Sequence, residues 1–223
     1  MAADDAAQVW QDKLVKHGLD EVRRLARKSP LLPRARRFMF LRHGETDGNA
    51  RRIYQPADIP LNAAGQAQAR RAAEYLREHP VERILASDMR RAWQTAEAAA
   101  GMVGAPILAE PRLRERWFGD LIGTSSMDLD WRIEPPNGES LSAFVLRTQA
   151  GFHATLDTDA STLLVAHGGS LYVLVFSLGA DLLEEHIANA TPLLFEYQAQ
   201  AGCWRISNIA PKHVTAAYRR TTD

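Results

Sequence analysis

The stretch FLRHGET, residues 40–46, closes a short apolar run with an arginine, a histidine and a glycine in succession. A second histidine, His167, stands in VAHGG (165–169), again at the end of an apolar run and again followed by glycine. A neutral imidazole nitrogen is a good nucleophile near neutral pH, and a guanidinium offers a planar fork to the oxygens of an anion. Arg42 and His43 could therefore place a nucleophile beside an anion clamp. The bland alternative is a solvated polar turn. In open α/β sheets, ligands bind at the carboxyl ends of the strands, and both histidines fall at such ends, which favours the chemical reading.

The elements that must carry them follow from periodicity. RFMFL (37–41), RILA (83–86) and TLLVAH (162–167) read as strands buried on both faces. AAGQAQARRAAEYLREH (63–79) and DMRRAWQTAEAAAGMV (88–103) read as alanine-rich amphipathic helices. Further helices are predicted from Ser140 to about Leu156 and from Ser170 to Leu178, and a late hairpin from LLFEYQA and CWRISNI around Gly202. The alternation predicts a three-layer α/β fold, a mainly parallel open sheet with helices on both faces. Residues 1–36 read as a separate N-terminal helical extension on a domain of residues 37–223. Trp10, Leu14, Val15, Leu19, Val22 and Ala26 follow helical spacing there, with Gly18 a candidate break.

Composition excludes several classes. Lys+Arg and Asp+Glu balance at 27 each, so no global charge points to nucleic acid or a membrane surface. The arginines between Arg23 and Arg37 read as a solvated face. The apolar stretch 162–180 contains His167 and a Gly-Gly pair, which argues against a spanning helix. The single cysteine, Cys203, excludes an internal disulfide and a Cys-based zinc site, fits a cytoplasmic setting, and reads as a small apolar filler.

Six segments in order resemble the histidine phosphatase (phosphoglycerate mutase-like) superfamily: LRHGET (41–46), DIPLNAAGQAQA (58–69), ASDMRRAWQTA (86–96), LRERWFGDLIG (113–123), PPNGES (135–140) and VAHGG (165–169). R-H-G alone arises by chance; the ordered set is specific. The resemblance implies a phosphatase that needs no metal or other cofactor and acts on a small-molecule phosphate ester. It makes His43 the nucleophile that forms a phosphohistidine, with Arg42, Arg91 and His167 binding the phosphoryl group. Glu115 becomes the proton donor to the leaving oxygen, with Glu45 or Asp120 as fallback acids. Thr46, Asn49 and Gly168 are assigned to substrate binding, although Thr46 and Asn49 could instead cap the following segment. Without the motif, Glu115 between Arg114 and Arg116 would read as a surface ion pair. His17, His79, His153 and His186 read as exposed helix positions and His213 as structural.

Two departures stand out. Pro56 replaces the glycine usual after glutamine, which removes a backbone donor. Eleven residues, TSSMDLDWRIE, separate Gly123 from Pro135, fewer than in phosphoglycerate mutases, and Arg132 is the one basic residue among them. The rival readings are a mutase or another phosphotransferase, and a non-catalytic phospho-ligand-binding protein on the same fold. The N-terminal extension has an apolar face without a partner in its own segment. It is expected to pack on the domain over residues 124–134, or on a second copy in a homodimer.

Overall fold

The computed structural model describes residues 12 and 15–210. Trp10, Leu14 and His213 lie outside the described residues. Among these, six strands form one sheet in the order β3-β2-β4-β1-β5-β6. β1 (Arg37–Arg42), β4 (Thr162–Ala166), β2 (Arg83–Ala86) and β3 (Ile107–Ala109) run parallel, and β5 (Pro192–Gln198) and β6 (Cys203–Asn208) add an antiparallel hairpin beside β1. The sheet is mixed with a parallel centre, as expected. β3, which sequence periodicity missed, is three residues long at the sheet edge, with Leu108 and Ala109 exposed. Such a piece has too few alternations to register.

Side chains two apart share a face, and both faces are covered. Phe38, Phe40, Leu164, Ala166 and Phe195 join a core with α1 (Leu19–Ala26), α5 (Leu141–Leu156) and α6 (Gly168–Ser177). Met39, Leu41, Leu163, Val165 and Leu194 face the opposite way, against α3 (Ala63–Leu76) and α4 (Arg90–Val103). Both faces are therefore apolar along one strand, which is why β1 and β4 read as continuous hydrophobic runs. Asn62 and Ser140 cap α3 and α5 by accepting the Gly65 and Ala143 N–H groups.

Leu19, Val22 and Ala26 of α1 are buried in the same cluster as Phe144 and Phe176. Burying Leu19 and Val22 contributes about 1.5–3 kcal/mol each. At its C-terminal end α1 is tied down by Gln149, whose amide donates to the Ala26 and Ser29 carbonyls, both at 2.8 Å. The arginine cluster is dispersed over local partners: Arg23 over Phe176, Arg24 with Glu21, Arg34 with Asp159, Arg36 over Tyr197, and Arg37 with Glu196. Among the described residues, no helix is long and apolar enough to cross a membrane. Cys203 is exposed on β6 and fills no core space, contrary to expectation.

Candidate active site

Strands β1 and β4 are neighbours, with Arg42 opposite Ala166, and the His43 N–H donates to the Ala166 carbonyl at 3.0 Å. The residues that follow each strand therefore emerge side by side. The His43 and His167 rings lie 5.1 Å apart between centroids, inclined at 60°.

His43 is buried, and its Nδ1 lies 2.7 Å from the Gly44 carbonyl. A carbonyl only accepts, so Nδ1 carries the proton and Nε2 keeps its lone pair. Arg91 Nε donates to that Nε2 at 3.2 Å. Burial, then the charges of Arg91 and Arg42, push the His43 pKa well below 6.5, outweighing the Gly44 hydrogen bond. The same causes act on His167, where His43 adds to them. Both imidazoles are thus neutral at neutral pH.

The loop after β1 is clamped from three sides. Gly44 N–H donates to Thr95 Oγ1 (3.1 Å), Glu45 N–H to Gln68 Oε1 (2.8 Å), and Asn62 N–H to the Glu45 carbonyl (3.0 Å). α3 approaches so closely that a Cβ on Gly65 would stand 2.0 Å from the Glu45 oxygen. This explains the glycine and the glutamine in LNAAGQAQA: they hold the histidine loop and touch no reacting group. Thr46 and Asn49 form a capping box on the short helix α2 (Asp47–Arg51), the capping alternative raised from sequence. Asn49 also lines the cavity, whereas Thr46 is buried and donates to Gln55 at 2.5 Å.

Arg91 sits one residue inside α4 and is buried, not solvated. Its Nη1 donates to the Pro56 carbonyl at 2.9 Å, so the substituted proline still orients the guanidinium through its oxygen. Burial lowers the Arg91 pKa to about 10, against the opposing pull of Glu115 and with a further push from Arg42. Arg42 donates through Nη1 to the Ile187 carbonyl, and its Nε is buried without a hydrogen-bond partner among the described residues.

Glu115 is half-buried and pairs with neither flanking arginine. Arg114 turns outward to Asp88, and Arg116 donates to the carbonyls of Glu139, Trp131 and Ile133. The Glu115 carboxylate instead accepts the N–H of Gly169, in the first turn of α6, and the N–H of the adjacent Arg116, both at 3.0 Å. A Cβ on Gly169 would stand 2.1 Å from that carboxylate, which accounts for the second glycine of VAHGG. The expected start of α6 at Ser170 moves to Gly168 for this reason: the glycines are its first turn. Gly168 packs against the Arg42 guanidinium. The fallback acids lie elsewhere, Glu45 bonded to Asn62 and Asp120 to Asn137.

Arg42, His43, Arg91 and Glu115 line one cavity of about 260 Å³ with Tyr54 and Trp131. Sequence reasoning missed Ser87, whose hydroxyl lies 2.9 Å from His167 Nε2, and Asn189, whose amide donates to the His43 carbonyl at 2.9 Å. Ser87 lies inside a quoted motif without an assigned role; Asn189 has no local signal. His17 and His186 are not exposed helix positions: His17 sits in a turn and bonds the Leu129 carbonyl, and His186 is buried in a 3₁₀ turn. His79 also lies beyond its helix, while His153 is exposed on α5 as expected. Among the described residues, no three His, Cys, Asp or Glu side chains gather as a metal site would require.

The neutral pair has a consequence for stability. The unfolded chain binds protons on both histidines as pH falls through 6.5, while the folded chain does not until much lower pH. Their contribution is complete above 6.5 and is lost as pH falls below it, by up to about 3 kcal/mol per pH unit for two groups. Chemical denaturation at pH 7.5, 6.5 and 5.5 should show this slope, reduced in a His43→Asn/His167→Asn variant. Equal slopes in the two proteins would rule it out.

Residues 38–209 match the histidine phosphatase superfamily (branch 1). A probable phosphoglycerate mutase of Enterobacter sp. is 37% identical over 156 residues, covering 62% of this chain and 73% of that protein. An adenosylcobalamin/alpha-ribazole phosphatase of Salmonella typhimurium is 32% identical over 197 residues, covering 80% and 93%. The solved structure of mycobacterial glucosyl-3-phosphoglycerate phosphatase with VO3 superposes with a TM-score of 0.61 at 28% identity, covering 78% of this chain and 98% of the other.

Proposed function

Because the chain belongs to the histidine phosphatase superfamily, branch 1, we propose that it hydrolyses small phosphate monoesters through a phosphohistidine on His43, without a metal ion. The observation that carries this reading is the His43 tautomer: Nδ1–H is held by the Gly44 carbonyl, so the lone pair on Nε2 faces Arg91 beside Arg42. In the first step Nε2 attacks phosphorus, the P–O bond to the alcohol breaks, and Glu115 donates its proton to the departing oxygen. In the second, water attacks phosphorus, Glu115 takes the water proton, and the P–N bond breaks to return neutral His43 and inorganic phosphate.

Arg91 and Arg42 supply the positive charge for the equatorial oxygens. The unpartnered Arg42 Nε and His167 Nδ1 are buried donors for those oxygens if Ser87 donates to His167 Nε2, which leaves the imidazole proton on Nδ1. Ser87 accepts the Met89 N–H at 3.3 Å through one lone pair and keeps its own proton to give to this contact. Burial holds His167 neutral, and a bound phosphoryl dianion favours its protonated form.

The second reading, a mutase, is favoured by the Enterobacter relative's name. The short 124–134 segment opposes it: Arg132, its one basic residue, is committed to Asp130 at 2.8 Å.

An aryl phosphate should be hydrolysed at full rate after exhaustive chelation, and vanadate should inhibit, since it adopts a five-coordinate geometry like phosphorus in transfer. Strict dependence on added magnesium or zinc would overturn the metal-free reading. Interconversion of 2- and 3-phosphoglycerate, started by bisphosphoglycerate, would select the mutase instead.

A further inference from the structure

Resting on the reading that the ester is cleaved at His43, we propose that the N-terminal extension builds one wall of the leaving-group chamber. Lys16 and Arg52 at that chamber select phosphate monoesters whose alcohol portion carries a second anionic group.

A chamber of about 510 Å³ shares Arg42, Arg52, Glu115, Leu129 and Trp131 with the histidine cavity. Its other lining includes Lys16, His17 and Leu19 from the extension, while the shared Arg52, at the end of α2, reaches both spaces. The extension is held there by specific bonds. Trp131 N–H donates to the His17 carbonyl, and His17 Nδ1–H donates to the Leu129 carbonyl, both at 2.9 Å. Gly18 turns the chain between them at φ +71°, and a Cβ there would stand 2.2 Å from Asp130 Oδ1, so both conformation and space require glycine. From the inner side Arg116 grips the Trp131 and Ile133 carbonyls at 2.7 Å each. Residues 16–19 and 129–133 thus form one pinned wall, directly beyond the proposed proton donor.

The charge of this wall sets the ligand chemistry. Lys16 and Arg52 are exposed, and neither has a carboxylate partner among the described residues. The carboxylates lining the chamber are Glu115, bound to two backbone N–H groups, and Glu184. With Arg42 engaged by the phosphoryl group, Lys16 and Arg52 remain as further cations in a lining that also includes Trp131 and Tyr172. A compact carbon skeleton ending in a carboxylate or a second phosphate suits that lining; a neutral alcohol leaves both cations unmatched.

The test compares 3-phosphoglycerate with glycerol 3-phosphate, which differ by a carboxylate in place of a hydroxymethyl group. The wild-type kcat/KM ratio should favour 3-phosphoglycerate by roughly tenfold. Lys16→Glu and Arg52→Glu should each lower that ratio about fivefold, with the effect shrinking as salt rises. Melting temperatures of the variants identify any misfolding. Deleting the whole extension is a poorer test, because it also removes Leu19, Val22 and Ala26 from the core. Calorimetric binding of both esters to His43→Ala protein, with and without Lys16→Glu, measures the same preference without turnover. A ratio near one, or one that survives both charge reversals, overturns the inference. Absence of any ester hydrolysis by wild type refutes the phosphatase reading, and the binding preference then decides the chamber separately.

Discussion

Replacing His43 by alanine should lower hydrolysis of every phosphate monoester by at least about 10⁴-fold while leaving the fold intact. The size follows from the absence of a substitute. His167 is the nearest imidazole, and its Nε2 is occupied by Ser87 at 2.9 Å. Arg91, freed from its 3.2 Å contact with Nε2, would still bind phosphate. Affinity for phosphate or vanadate should therefore survive far better than turnover. In the wild type, rapid quenching into alkali should retain a phosphoenzyme that quenching into acid loses, because a P–N bond survives base better than acid. Turnover by His43→Ala within tenfold of wild type would end the phosphohistidine mechanism.

The second large effect is expected at Glu115. Glu115→Gln keeps an acceptor for the Gly169 or Arg116 N–H, both 3.0 Å away, but holds no transferable acidic proton. Loss of general acid catalysis costs about 10²–10⁴-fold for alkyl esters, whose leaving oxygens need a proton. An aryl phosphate leaves as a stabilised phenolate, so its first step should fall much less, and phosphoenzyme should accumulate when the second step loses its base. Measuring kcat for alkyl and aryl esters side by side separates this role from a structural one. An equal loss on both would show that Glu115 positions α6 and transfers no proton.

The chemistry-bearing residues were legible because each sits in a local pattern. His43 and His167 close apolar runs of alternating face; the Gly65 backbone presses on Gly44 directly after His43, and the Glu115 carboxylate presses on Gly169, the second residue after His167. Arg91 was named through the ASDMRRAWQTA resemblance, in which it stands four residues before Thr95: the Thr95 hydroxyl donates to the Arg91 carbonyl at 2.8 Å and receives the Gly44 N–H, joining α4 to the histidine loop. Thr46 and Asn49 were ambiguous because a capping box and a polar pocket edge use the same residue types.

Local pattern could not say that β1 and β4 pair, since that contact joins Met39 to Leu163 across the chain. Nor could it say that Arg114 and Arg116 turn away from Glu115, because side-chain direction depends on distant partners, Asp88 and the Trp131 carbonyl. The sequence by itself determined the alternation of strands and helices and the placing of Arg42 and the two imidazoles at strand ends, since periodicity and residue chemistry act over a few positions; Arg91 and Glu115 were named only through the family resemblance. Only the tertiary structure decided the His43 tautomer, the burial that keeps both histidines neutral, and the seating of His17 against Leu129 and Trp131. Those are matters of desolvation and long-range hydrogen bonding, which exist only once the chain has closed on itself.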